Sequence, residues 1–95
     1  LIVTGGENVM PERVEDVLRA HPDVLDAAVV GRPDPEWQEA VTAVVVLRPG
    51  AAEDPEALRA HCAAELAPYE VPKRFAFVAD LPRTASGKLM RSVLR

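Results

Sequence analysis

The amino-acid sequence predicts an α+β domain: a small mixed β-sheet with about three helices packed on it, preceded by a short β-hairpin. Three observations carry this expectation. Two β-branched runs, VLDAAVVG and AVTAVVVL, are bounded by turn residues. Two segments, PERVEDVLRA and DPEALRAHCAAEL, place proline at a first helical position and then repeat apolar residues every three or four positions. The opening LIVTGGENV has a Gly5-Gly6 pair between two short extended stretches, the pattern of a tight strand-turn-strand corner.

Taken in order, the elements read ββ-α-β-β-α-β-α. In the first helix Val14, Val17 and Leu18 form the apolar stripe, Glu12, Glu15 and Asp16 favour the positive N-terminal end, and His21-Pro22 stops it. The two β-branched runs follow, with RPDPEWQE between them. The second run is apolar on both faces, which places it centrally in the sheet. Asp54 is the expected N-cap of the next helix, whose Leu58, Cys62 and Leu66 share one face before Pro68 ends it. RFAFV forms a short strand with Phe75 and Phe77 on one side. KLMRSVLR then returns to helical spacing, with Leu89, Met90, Val93 and Leu94 on one side.

Ninety-five residues form one domain, 1–95, with a modest core: the 48% apolar fraction includes fifteen alanines, and only four residues are aromatic. A large buried small-molecule pocket made by this chain alone is not expected. The net charge of −4 conceals an asymmetry. Residues 1–72 carry 5 basic and 14 acidic side chains, whereas residues 73–95 carry 6 basic and 1 acidic. Such a cationic end on an anionic body suits a phosphate-bearing ligand, although a solvated basic tail has the same composition. The acidic body and the lack of aromatics among the basic residues argue against nucleic acid. No apolar run is as long as a membrane span and no signal peptide is visible. A single cysteine, Cys62, excludes an internal disulfide and points to a cytoplasmic setting. The chain begins without methionine, within an expected strand, and so reads as a fragment of something longer.

Several motifs are absent. Ser86-Gly87-Lys88 invites comparison with a phosphate-binding P-loop, but Pro82 stands where its first glycine belongs and Leu89 where its hydroxyl residue belongs. His61 and Cys62 are adjacent on a helix and point in different directions, so with His21 they make no metal site. No Ser/His/Asp constellation is discernible around Ser86.

LIVTGGENVMPERVE resembles the motif that opens the C-terminal domain of AMP-forming acyl-CoA synthetases and their adenylate-forming (ANL) relatives, the peptide-synthetase adenylation domains and luciferases. LPRTASGKLMR resembles the motif that closes that domain, and AAVVGRPDPEWQEAVTAVVVL between them also fits, so the resemblance covers essentially the whole chain. It implies a mobile lid of a larger ATP-dependent ligase, inactive by itself, that works in two steps. A carboxylic acid attacks the α-phosphate of ATP, and coenzyme A then displaces AMP. The resemblance assigns Lys88 to the first step as the catalytic cation, with Ser86 and Gly87 beside it toward the nucleotide; Arg83 and Arg91 are candidate supporting cations for the nucleotide phosphate, with solvent or the large domain as their plainer partners. It assigns Gly5 and Gly6 to the second, lining the pantetheine passage. The partner it implies is a large N-terminal domain of the same chain that holds ATP, its Mg2+ and the acyl group, with no metal on this domain. It also makes Lys88 a candidate for acetylation.

The physical reading of the residues agrees. Adenylation brings a carboxylate against a phosphate, and a cation that bridges both offsets the repulsion and orients the attack. Lysine is a compact charge on a long stem, and this chain has only two, Lys73 and Lys88, against nine arginines. An ordinary surface lysine, and a glycine pair needed only for a turn, are the plainer alternatives. Three positions depart from the family pattern: Met10, Arg13 where glutamate is common, and Gln38 where glycine commonly precedes glutamate. The family's hinge residue falls upstream of Leu1. TGGEN and PRTASGK look most like fatty-acyl or aryl-acyl CoA ligases, including the succinylbenzoate type. The rival expectation is a freestanding α+β interaction module that kept the lid fold without the reaction.

Overall fold

A computed structural model describes residues 1–95. Five strands and two α-helices follow in the order β1 (Ile2–Thr4), β2 (Glu7–Val9), α1 (Pro11–Arg19), β3 (Val24–Asp34), β4 (Gln38–Leu47), α2 (Pro55–Ala63) and β5 (Arg74–Phe77). The α+β class and the mixed sheet are as expected: β1–β2, β1–β4 and β3–β4 are antiparallel, and β4–β5 is parallel. β4 lies at the centre. Its whole length pairs with β3 on one side, while on the other its first residue, Gln38, meets Thr4 of β1 and residues Thr42–Val45 meet β5.

The apolar character of β4 follows from that position. Val41, Ala43 and Val45 face α1 and α2, joining Val14, Leu18, Leu58, Cys62 and Leu66 in the main core, with Phe75 and Phe77 against it. Val44 and Val46 point the other way, where Ala28, Leu81, Leu89 and Leu94 form a second, smaller core. Each fully buried valine is worth roughly 1.5–3 kcal/mol. The sheet is therefore covered on one face by the helices and on the other by the C-terminal segment. Asp54 caps α2 as expected, its carboxylate accepting the Ala57 N–H at 3.1 Å.

Two expectations are corrected. RPDPEWQE is not all loop: β3 runs through Arg32-Pro33-Asp34 and only three residues separate it from β4. Pro33 is tolerated because β3 is an edge strand, and the missing N–H belongs to the outward set, like that of Val29, which does not reach β4. The third helix is also absent. Lys88-Leu89-Met90 is extended, since the Thr84 N–H donates to the Lys88 carbonyl at 2.8 Å and the Met90 N–H to the Pro82 carbonyl at 3.0 Å. Only Arg91–Val93 turns, as a single 3-10 turn. Leu89 and Leu94 reach the second core as the periodicity suggested, but Met90 and Val93 stay exposed. A segment this short cannot hold a helix without a long apolar face to bury. No helix is long and apolar enough to cross a membrane.

Gln38 closes the β3–β4 hairpin at φ 68°, in the left-handed region. That conformation costs a side-chain-bearing residue roughly 1–2 kcal/mol, a cost that glycine does not carry. Gln38→Gly should raise the stability of the chain by about 0.5–1 kcal/mol, net of glycine's extra chain entropy, as read from the urea midpoint at constant slope. An unchanged or lowered midpoint would show that the turn carries no such strain.

Candidate functional site

Lys88 sits on a tight hairpin made by residues 83–89, closed by an antiparallel bridge between Arg83 and Leu89. The turn is stitched by a Gly87 N–H donated to the Thr84 carbonyl at 2.9 Å and by the Lys88 N–H donated to Thr84 Oγ1 at 3.0 Å. Gly87 takes φ +90°, and no atom approaches its Cβ position within 4 Å, so glycine is there for conformation rather than for space. The Ser86 hydroxyl lies 3.0 Å from that of Thr84, closing the turn. The Lys88 side chain is exposed and makes no ion pair within the chain. A free ammonium is thus presented on a backbone frame that is itself well tied.

The frame is fastened to the body at both stems. Before the hairpin, Leu81 is buried in the second core. Arg83 donates to Asp26 of β3 at 2.5 Å and to the Gly87 carbonyl at 2.9 Å. Asp26 also receives Arg19 at 3.1 Å and the Ala27 N–H at 2.8 Å. Burial alone would raise its carboxyl, but these hydrogen bonds, that of Arg83 first, outweigh burial and hold it below the usual value. After the hairpin, Arg91 makes a two-pronged pair with Glu15 of α1, at 2.8 and 2.5 Å. Those hydrogen bonds push the Arg91 guanidinium up further. Arg32 of β3 donates twice to the Leu94 carbonyl, at 3.2 and 2.9 Å. Arg83 and Arg91, expected to support a phosphate, are thus engaged inside the chain.

Glu15 and Asp26 were not singled out by the sequence. Glu15 reads as one of several acids at the start of α1, yet its spacing carried a signal: Pro11, Val14, Glu15 and Leu18 fall on one helix face, and all four are buried. A charge on the apolar stripe demands a partner.

Gly5 and Gly6 occupy the turn between β1 and β2, at φ +54° and +82°. The Gly5 N–H donates to the Trp37 carbonyl at 2.8 Å, and a Cβ on Gly5 would fall 3.1 Å from the indole ring. Nothing lies within 4 Å of a Cβ on Gly6, so its outer side is open. Trp37 is 38% exposed and anchors this corner, with the Lys73 ammonium 4.3 Å from its ring centroid. Its loop is set by Asp34, which accepts the N–H groups of Glu36 and Trp37 at 2.9 and 3.1 Å. The structure does not bring the glycine turn and the Lys88 hairpin together. Asp26, which holds the hairpin, and Asp34, which holds the Trp37 loop, are eight residues apart on β3, about 26 Å along an extended strand. The chain carries two functional candidates at opposite ends of one ribbon.

A family model described as the AMP-binding enzyme C-terminal domain matches residues 13–88. The sulfoacetate--CoA ligase of Cupriavidus necator is 50% identical over 91 residues, covering 96% of this chain and 18% of that protein. The 2-succinylbenzoate--CoA ligase of Geobacillus kaustophilus is 50% identical over 95 residues, covering 100% of this chain and 19% of that protein. The crystal structure of ATP-bound MatB from Rhodopseudomonas palustris superposes with a TM-score of 0.95 at 41% identity, covering 100% of this chain and 19% of that one. The chain therefore spans about a fifth of the length of the curated relatives it matches.

No group of three His, Cys, Asp or Glu side chains is arranged to hold a metal ion. His21 and His61 stack edge to face at 5.0 Å, with His61 Nε2 2.7 Å from the Val17 carbonyl, a contact that joins α2 to α1. Cys62, the one thiol, is fully buried in the main core, and burial pushes it up to about 11. It should therefore not compete with an external thiol as a nucleophile. Reaction with a disulfide reagent at pH 8 should be negligible in the folded chain and complete after unfolding; fast labelling of the folded chain would contradict the burial of that helix face.

Proposed function

Because this chain belongs to the AMP-binding enzyme C-terminal domain family, we propose that it is the mobile C-terminal lid of an ATP-dependent acyl-CoA ligase. The observation that carries the proposal is the unpaired Lys88 ammonium on a hairpin fastened at both stems. A large N-terminal domain of the same protein would supply the sites for ATP with its Mg2+ and for the carboxylic acid.

In the first step a carboxylate oxygen attacks the α-phosphorus, forming the acyl-phosphate bond as the bond to pyrophosphate breaks. Two anions must approach, and negative charge grows on the phosphoryl oxygens. Lys88 donates from its ammonium to the carboxylate and to a phosphate oxygen, lowering the repulsion and fixing the line of attack. Ser86 and Gly87 flank the nucleotide there, while Arg83, held by Asp26 and the Gly87 carbonyl, shapes the turn that presents Lys88. In the second step the thiol sulfur of coenzyme A attacks the acyl carbonyl, its proton is lost, and AMP leaves with the bonding pair. Gly5 and Gly6 serve this step: with no side chain on the open side of Gly6, the backbone can lie against the narrow pantetheine arm. The two candidates are held by residues about 26 Å apart along β3, Asp26 and Asp34, so they lie at different ends of the lid and reach a single centre in different orientations. A change of lid orientation between the steps follows. The likeness to CoA ligases of sulfoacetate and 2-succinylbenzoate supports a carboxylic acid as substrate.

In the full-length enzyme, Lys88→Ala should lower ATP-pyrophosphate exchange by about 10²-fold to 10³-fold while thioester formation from preformed acyl-adenylate is retained. Gly6→Leu should do the reverse, sparing exchange and slowing thioester formation. Equal loss of both half-reactions in either variant, or no loss, would contradict the assignment.

A further inference from the structure

Two unequal ion pairs flank the Lys88 hairpin and fasten it to the body. The Asp26–Arg83 pair is partly exposed, with Arg83 at 37% and Asp26 at 25%, so solvent and salt weaken it. The Glu15 side chain is 2% exposed. One of its oxygens accepts both the Val29 N–H of β3 and Arg91 Nε at 2.8 Å, and the other accepts the second Arg91 prong at 2.5 Å. Arg91 lies only three residues beyond Lys88. Glu12 stands 3.8 Å from Arg91 on the outer side, and Arg19 lies 4.0 Å from Glu15. A two-pronged pair on a buried carboxylate fixes orientation as well as distance, which a single contact on a partly exposed one cannot do.

We propose that Glu15 is a positioning residue for adenylation: through Arg91 it locks the outgoing stem of the Lys88 hairpin against the edge of β3. This deepens the assignment of Lys88 and rests on it. Without the lock, the return strand at Leu89-Met90 keeps its bridge but loses its registration on the body, and the Lys88 ammonium is displaced from the attack line. A misplacement near 1 Å is enough to cost about 10²-fold.

The test uses the full-length enzyme with Glu15→Gln, an isostere that retains an acceptor for the Val29 N–H but not the charge for Arg91. Two readouts are taken. Tryptic cleavage after Arg91 requires its guanidinium to enter the protease, so it should be slow in the parent and several-fold faster in the variant. ATP-pyrophosphate exchange should fall by about tenfold to 10²-fold, with thioester formation from preformed acyl-adenylate nearly unchanged. Arg91→Met, at a partly exposed side chain, should reproduce the split in half-reactions if Glu15→Gln does not fold. Lys88→Ala is run beside them. Its selective loss of exchange must hold for the underlying assignment to stand, so a failure there is distinguishable from a failure of the lock. Unchanged cleavage in Glu15→Gln would overturn the proposal. So would faster cleavage without loss of exchange, or equal loss of both half-reactions, which would mark Glu15 as structural only.

Discussion

A buried carboxylate on helix α1 joins three parts of this fold that share little else. Glu15 meets the free edge of the sheet at the Val29 N–H, and it meets the C-terminal segment at Arg91. The edge matters because β3 pairs only with β4, so its outward N–H and C=O groups would otherwise be open to another chain. Side chains of α1 occupy that edge instead. Glu15 takes the Val29 N–H, and Arg19 donates to the Ala27 carbonyl at 3.0 Å. A buried charge is expensive to desolvate, and removing one partner of such a pair leaves that cost uncompensated. The requirement to satisfy Glu15 is therefore also a requirement that the tail be docked.

That docking explains why the second face of the sheet can be apolar. Val44 and Val46 need cover, and no helix provides it. Leu81, Leu89 and Leu94 do so from an irregular segment with few apolar residues, too little to hold itself down by burial alone. Three guanidinium contacts, from Arg83, Arg91 and Arg32, supply the remainder at positions spread along it. The basic excess of residues 73–95 is thus partly consumed within the chain. Lys88 is what remains free in the hairpin, and the contrast between spent arginines and a free lysine gives the charge asymmetry its meaning.

Much of this was legible in the sequence because it depends on periodicity. The centrality of β4 follows from apolar residues on both faces, the buried face of α2 from Leu58 and Cys62, with Leu66 buried just past its end, and the cap from Asp54 ahead of Pro55. The segments that went unread depend on contacts between distant residues. A helix at the C-terminus was expected from the spacing of Leu89, Met90, Val93 and Leu94, but the pairing of Thr84 with Lys88 commits the strand first. The extension of β3 through Pro33 depends on which edge is free, a matter of topology rather than composition. The site was legible in part: Lys88, Gly5 and Gly6 stand out by type and motif. Glu15 and Asp26 matter only because arginines 76 and 57 residues away come to meet them.

The most direct measurement is a double-mutant cycle on Glu15 and Arg91, with Glu15→Gln, Arg91→Met and the double variant compared by urea unfolding of the chain. If the pair on the buried Glu15 carboxylate ties the tail to α1 and the β3 edge, the two changes should be strongly non-additive, with a coupling energy of about 2 kcal/mol. A coupling below about 0.5 kcal/mol would mean that the two residues contribute independently, and the account of how the Lys88 hairpin is held would be wrong.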